Sequence, residues 1–290
     1  MTIDALRTAE GMITLLELDR VPVLADALEL RMSVPEQAQI LDELTGAMVS
    51  SFSPHVAGVV FSPEHTFNHI SQLAYQATPV LSLEKKTAAV DPLIPPIFVD
   101  NWGVESVSNN YGVAKLELYY NPAEEQAALK KQIVAEIHDY CKYEGIHFIL
   151  ELLVYHRANE KPSPQGLLDT QLTAVQEFRD SCDVLALEYL GDSLAAVTIT
   201  AELDIPWILT GRDQDYEQTK LDLRAALEGG AQGFLLGDIF WPHIDHAQHD
   251  SGEVSVSMLV AEIQKQGRDH VIELSRITKE FASANGEQTT

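Results

Sequence analysis

Several apolar runs in this chain are broken by charge. "AKLELYYNP" carries Lys115 and Glu117, "FILELLVY" carries Glu151, and "CDVLALEYLGD" closes its apolar run on Glu188. "LSLEKKT" ends in Glu84, Lys85 and Lys86. Charge inside an apolar strand is costly unless it is paired or functional. A lysine among carboxylates can take part in proton transfer, and one kept neutral can attack a carbonyl. The bland account is an ion bridge from Lys115 to Glu151 or Glu117. Several charged strands converging on one place favour a polar pocket over an isolated bridge.

The elements that must position these groups alternate in type. Strands are predicted at Met12–Leu18, Ala57–Phe61, Pro79–Glu84, Ala114–Tyr119, His147–Leu153, Cys182–Glu188, Pro206–Thr210 and Gly233–Gly237. Helical patterns lie near 35–51, 64–77, 123–144, 168–180, 191–202, 215–229 and 254–283, with a proline-rich loop from Thr87 to Asn110. Such alternation implies a parallel sheet, and eight units in this length point to a closed (β/α)8 TIM barrel. No G-x-G-x-x-G follows a strand, which argues against an open dinucleotide-binding sheet. With no low-complexity linker, residues 1–290 are expected to form a single domain, 284–290 being a polar tail. Barrel chemistry sits at the C-terminal strand ends. Those ends carry Lys115, Glu117 and Tyr119 on one face of strand four, Glu151 on strand five and Glu188 on strand six. Strand seven runs into Thr210, Gly211 and Arg212, and strand eight into Gly237 and Asp238.

Composition narrows the partners. Forty-four acids against nineteen bases leave a formal charge of -25, which repels nucleic acid and anionic lipid. No apolar run approaches a membrane span and the N-terminus lacks a signal-peptide pattern. The two cysteines, Cys141 and Cys182, lie in apolar contexts as reduced core thiols, consistent with the cytoplasm.

"AKLELYYNPAEE", "IHFILELLVYH", "DVLALEYL" and "GAQGFLLGDIFW", in that order and spacing, resemble the LacD family over roughly residues 11–245. These are class I aldolases that include tagatose-1,6-bisphosphate aldolase and sulfofructosephosphate aldolases. The resemblance implies a (β/α)8 barrel acting on a sugar or sugar phosphate. It implies that Lys115 matches an active-site lysine, Glu151 the acid of proton transfer, and Lys85 the family's E-K-T stretch. Family members carry their Schiff-base lysine at the position of Ala186, two residues before the acid matching Glu188. Here that amine is replaced by a methyl group. The family's Asp-Gln-Arg on strand one becomes "LELDRV", keeping Arg20 but placing Leu18 where the aspartate belongs, with Asp19 displaced by one. The family's Gly-Arg on strand eight becomes Gly237-Asp238, an acid that would repel phosphate. Arg212 is the candidate to replace the missing charge.

The candidate catalytic residues are therefore Lys115, Glu151 and Glu188. The candidate substrate-binding residues are Arg20, Lys85, Glu117, Thr210, Gly211, Arg212, Gly237 and Asp238, with no metal and no cofactor required. Lys115 is a poor substitute nucleophile, because neighbouring carboxylates favour its ammonium form. Two functions follow: a carbon–carbon lyase lacking the usual Schiff base, or a repurposed barrel that binds a metabolite or a protein partner. Homo-oligomers are expected in either case. Two metal readings are weaker: Mg²⁺ on Glu117, Glu151, Glu188 and Asp238, and zinc on His243, His246 and His249 with Asp245 and Asp250. Trp102, Trp207 and Trp241 are read as packing.

Overall fold

The computed structural model describes residues 3–158, 161–212, 215–241 and 255–286. Short apolar runs such as "GVVF" and "WILT" are buried on both faces, as strands of a covered parallel sheet must be. Eight of them close on themselves: β1 (Ile13–Glu17), β2 (Gly58–Phe61), β3 (Thr78–Ser82), β4 (Val113–Tyr120), β5 (Phe148–Val154), β6 (Val184–Glu188), β7 (Trp207–Thr210) and β8 (Gly233–Leu236). Each pairs in parallel with the next, and β8 pairs with β1. The expected (β/α)8 barrel is thus observed.

The surrounding helices are α1 (Val21–Ala27), α2 (Pro35–Phe52), α3 (Val104–Asn109), α4 (Ala127–Glu144), α5 (Pro164–Phe178), α6 (Ser193–Glu202), α7 (Tyr216–Glu228), α8 (Val256–Glu262) and α9 (Arg268–Gly286). The loops leading into α5, α6 and α7 each end in an N-cap: Ser163, Asp192 and Asp215 accept from the backbone N–H three residues on. Two expectations need correction. The helix expected over 64–77 is only a 3-10 turn, Phe67–Gln72, because the Ser62 carbonyl and the Thr66 hydroxyl form a tight local turn there. The loop expected over Thr87–Asn110 contains α3, which starts at Gly103 with Ser106 hydroxyl accepting from the Gly103 N–H. The short α1 follows β1 directly, with a proline in its first turn.

Alternation along the strands sorts the interior into two levels. Ile13, Leu15, Val60, Val80, Val113, Ile149, Val184, Ala186, Ile208 and Leu235 form an apolar lower level, closed at the bottom by Leu6. One step further along, the same face turns polar: Glu17 on β1, Ser82 on β3, Lys115 and Glu117 on β4, Glu151 on β5 and Thr210 on β7. The other face packs against the helices in a second core containing Leu116, Leu150, Leu185 and Leu209.

Closure depends on a residue without a side chain. Gly233 opens β8 opposite Ile13 with φ +144, and a Cβ there would stand 1.7 Å from the Ile13 carbonyl oxygen. That conformation is essentially reserved for glycine. Gly233→Ala should therefore lower unfolding free energy by about 3 kcal/mol or more. A urea midpoint equal to that of the parent protein would refute this account of closure.

Candidate functional site

β4 carries the centre of the site because its face changes from Val113 to Lys115 to Glu117 as it leaves the apolar level. Lys115 is fully buried. Its Nζ lies 2.6 Å from Glu17 Oε1, 2.6 Å from Glu151 Oε2 and 3.3 Å from Asp19 Oδ2. A second ammonium, Lys86, stands 2.6 Å from Glu117 Oε2, 2.7 Å from Glu84 Oε1 and 3.0 Å from the same Asp19 oxygen. Arg212 reaches in from beyond β7 to Glu151 Oε1 at 2.6 Å and Glu117 Oε2 at 3.0 Å, with Glu17 Oε1 at 3.6 Å. Thr210 Oγ1 donates to Glu151 Oε1 at 2.8 Å, and the Ser82 hydroxyl donates to Asp19. Arg20 pairs with Asp238 at the edge of this network.

These pairings set the charge states. Burial alone would lower Lys115, but Asp19, Glu151 and Glu17 outweigh it and hold the ammonium above its ordinary range. Lys86 is raised in the same way by Asp19, Glu117 and Glu84. Burial tends to raise Glu117 and Glu151, yet Arg212 with Lys86 brings Glu117 down to about 2, and Arg212 with Lys115 holds Glu151 well below its usual range. Glu17 goes the other way. Burial and the charge of Glu151 push it up to about 8 despite Lys115 and Arg212. Glu84 is also raised, by burial in excess of what Lys86 offsets. The cluster thus sets carboxyls raised by burial, Glu17 and Glu84, beside carboxylates held low by cations, a division typical of acid–base sites.

Above this layer lies a cavity of about 470 Å³, lined by charged residues of the floor and an apolar wall. Arg20, Glu84, Lys86, Glu117 and Arg212 belong to the floor, and Val90, Ile94, Pro95, Pro96 and Ile97 to the wall. The wall is a strap between β3 and α3. It is pinned where Lys85 N–H donates to the Ile97 carbonyl at 2.7 Å and where Lys130 Nζ donates to the Pro92 carbonyl at 2.7 Å. Lys115 and Glu151, both fully buried, are not among the residues lining the cavity.

Of the residues singled out in the sequence, Lys115, Glu117, Glu151, Thr210 and Arg212 come together in one network. Arg20 and Asp238 are brought to each other. Gly211 carries the chain from β7 to Arg212. Gly237 lets β8 lie against β1, since a Cβ there would stand 2.3 Å from the Glu17 carbonyl oxygen. Lys85 lines the rim of the cavity and pairs with the exposed Asp100 at 2.8 Å, while Lys86 turns inward. Glu188 is half-buried, its carbonyl accepts from Gln171 at 2.8 Å, and it is not an ion-pair partner of Lys115, Lys86 or Arg212 among the described residues.

Glu17, Lys86 and Ser82 were not anticipated. Strict alternation from Ile13 and Leu15 puts Glu17 and Asp19 on the inward face, against Lys115, and Leu18 on the outward one. Carrying that period through "ITLLELD" finds both acids. Oxygens of Glu17, Glu117 and Glu151 approach within 4.8 Å of one another, as in a hard-cation site, but Lys115 and Arg212 already engage these carboxylates. The histidines at 243, 246 and 249, with Asp245 and Asp250, lie outside the described residues. Trp207 is buried and its Nε1 donates to Thr200, and Trp102 packs edge-on against Phe67.

No family model and no curated protein matches this sequence. Solved structures do match in fold. An archaeal fructose 1,6-bisphosphate aldolase superposes with a TM-score of 0.66 at 14% identity, covering 96% of this chain and 98% of that one. An archaeal fructose-1,6-bisphosphate aldolase with its catalytic lysine bound to the carbinolamine intermediate gives 0.65 at 15% identity, over 96% and 98%. Fructose-bisphosphate aldolase from Slackia heliotrinireducens gives 0.62 at 12%, over 94% and 88%. The protein is a single-domain (β/α)8 barrel of the architecture these aldolases share. Among the described residues no helix is long and apolar enough to cross a membrane.

Two outcomes test the electrostatics. Lys115→Met leaves three buried carboxyl groups short of a cation and should cost about 3–5 kcal/mol of stability. Glu17 has a folded-state value raised from 4.5 to about 8, so its unfolded form releases the proton first and stability falls as pH rises through that interval. Glu17→Gln should remove this contribution: the variant gains on the parent between pH 5 and pH 8 in urea melts. Parallel pH profiles would contradict the assignment of the proton to Glu17.

Proposed function

We propose that this barrel binds a carbohydrate in its mouth and does not form an imine with it. The observation that carries the proposal is the state of Lys115. It is the lysine nearest the centre of the barrel, yet it is sealed from the cavity and clamped as an ammonium by Glu17, Glu151 and Asp19. An imine requires a neutral amine within reach of the carbonyl. Lys86 does line the cavity, but three carboxylates hold it equally firmly in its charged form. Position 186, where the LacD resemblance expects the nucleophile, is a fully buried alanine beside Glu151.

The carbohydrate part rests on the cavity and on the neighbours. Carboxylates, ammonium groups and a guanidinium on one side and an apolar strap on the other match the hydroxylated edge and C–H face of a small sugar, and the volume suits such a ligand. The superposing structures are named as aldolases of a sugar bisphosphate, one with its lysine covalently bound to the carbinolamine. Glu117 and Arg212 would touch the ligand, while Lys115 and Glu151 would act from beneath them. A lyase that works without an imine is the alternative, and the contrast between proton-bearing Glu17 and ionised Glu151 on the same ammonium is what favours it.

Incubation with dihydroxyacetone phosphate or fructose 1,6-bisphosphate plus borohydride, followed by intact-mass measurement, separates these chemistries. The expected result is no mass gain, together with a rise in melting temperature on adding ketoses. A reduced adduct mapping to Lys115, Lys86 or Lys85 would overturn the imine-free reading. Absence of any carbohydrate-induced stabilisation would overturn the carbohydrate reading.

A further inference from the structure

We infer that Tyr119 is the residue that receives the sugar in this mouth, through its ring and its hydroxyl, and that Lys130 is the positioning residue that holds the apolar strap beside it. The inference rests on the carbohydrate reading above and deepens it by naming where the sugar is held.

The inward face of β4 runs from Lys115 through Glu117 to Tyr119 as it rises from the apolar level to the mouth. Exposure rises along it: Lys115 is fully buried, Glu117 is 8% exposed and Tyr119 is half-buried. A ligand entering the cavity therefore meets Tyr119 before the charges beneath it. Those charges are engaged with one another, Arg212 with Glu117 and Glu151, and Lys86 with Glu84, Glu117 and Asp19. The Tyr119 hydroxyl is not. It makes no hydrogen bond among the described residues, and it is absent from the polar atoms sealed from solvent. A reachable hydroxyl without a partner, in a side chain that lines the cavity, is a place for a ligand oxygen. Burial and the charge of Glu117 hold the phenol above its ordinary range, so it stays uncharged and donates. The ring offers its flat apolar surface to the C–H groups of the same ligand.

The strap supplies the second contact. Val90, Ile94 and Ile97 line the cavity, yet they are 46%, 53% and 61% exposed, so apolar surface facing the ligand is left in water. Covering it with the C–H face of a sugar removes that surface from solvent. The strap is tied at its ends, where Lys85 N–H donates to the Ile97 carbonyl and Val99 N–H to the Leu83 carbonyl. Its middle is tied by Lys130 of α4. This side chain is fully buried, and its three N–H groups find three acceptors: the Pro92 carbonyl at 2.7 Å, the Tyr119 carbonyl at 2.8 Å and Glu124 Oε2 at 2.9 Å. Glu124 is held in turn by the Tyr155 hydroxyl, and Asn121 donates to the Tyr155 carbonyl. One ammonium thus joins the backbone of the strap to the backbone of Tyr119 and fixes the space between wall and ring. Lys130 does not itself line the cavity, so it acts through the segments it holds.

The test is calorimetric titration of the full chain with fructose and tagatose, with amide hydrogen exchange measured on the same proteins. Tyr119→Phe, which removes only the hydroxyl, should weaken ketose binding by about threefold to tenfold. Tyr119→Ala, which removes the ring as well, should weaken it by more than about tenfold. Lys130→Met should speed exchange in residues 87–97 while the amides of β5 keep the parent rate. The same variant should weaken ketose binding by about tenfold although every side chain lining the cavity is unchanged. Where loss of the cation strands Glu124 and prevents folding, Lys130→Met combined with Glu124→Gln carries the same expectations. Parent affinity in both Tyr119 variants, with ketoses binding the parent protein, would remove Tyr119 from its role and leave the carbohydrate reading standing. Parent affinity in the Lys130 variants, or exchange that quickens throughout the barrel, would overturn the positioning role. Ketoses that fail to bind the parent protein would defeat the inference together with the carbohydrate reading.

Discussion

An ammonium group with no access to water, Lys115, sits where strands β1, β4 and β5 bring three carboxyl groups around it. A charge so placed is tolerable only if its neighbours replace the lost hydration. Glu17, Asp19 and Glu151 do so, and they in turn need Arg212, Lys86, Ser82 and Thr210. The network is therefore a connected whole in which no member can be removed without stranding another. It forms the ceiling of the apolar barrel interior and the support of the cavity floor.

That arrangement shapes the chemistry available above it. In a barrel that forms imines, desolvation or a nearby cation keeps an amine neutral. Here both buried lysines are surrounded by acids, which drives them the other way. One carboxyl, Glu17, is instead raised toward neutrality, because burial and the charge of Glu151 outweigh Lys115 and Arg212. A surface as acidic as this chain's adds a long-range bias against anionic ligands.

The strap between β3 and α3 closes one side of the cavity above this electrostatic layer. Its backbone pairs with the end of β3, so the residues after β3 are held alternately out toward Asp100 and in toward Asp19. Lys85 and Lys86 differ only in which side of that extended segment they occupy. Adjacent identical residues thus take a rim position and a floor position.

The eight-stranded alternation was legible along the chain, since a strand buried on both faces needs a continuous apolar run whatever surrounds it. The charged positions within those runs were legible too, and Lys115, Glu117, Glu151, Thr210 and Arg212 do meet. Period-two arithmetic on "ITLLELD" is also enough to place Glu17 and Asp19 inward. Other outcomes were not local. The inward turn of Lys86 depends on pairing with the strap across Glu84 and Phe98. The pairing of Arg20 with Asp238 joins residues 218 apart in the chain. Residue types determined which charges had to be neutralised. Only the closed barrel decided which partner neutralised each, because that choice is made by distances across strands that the chain order does not encode.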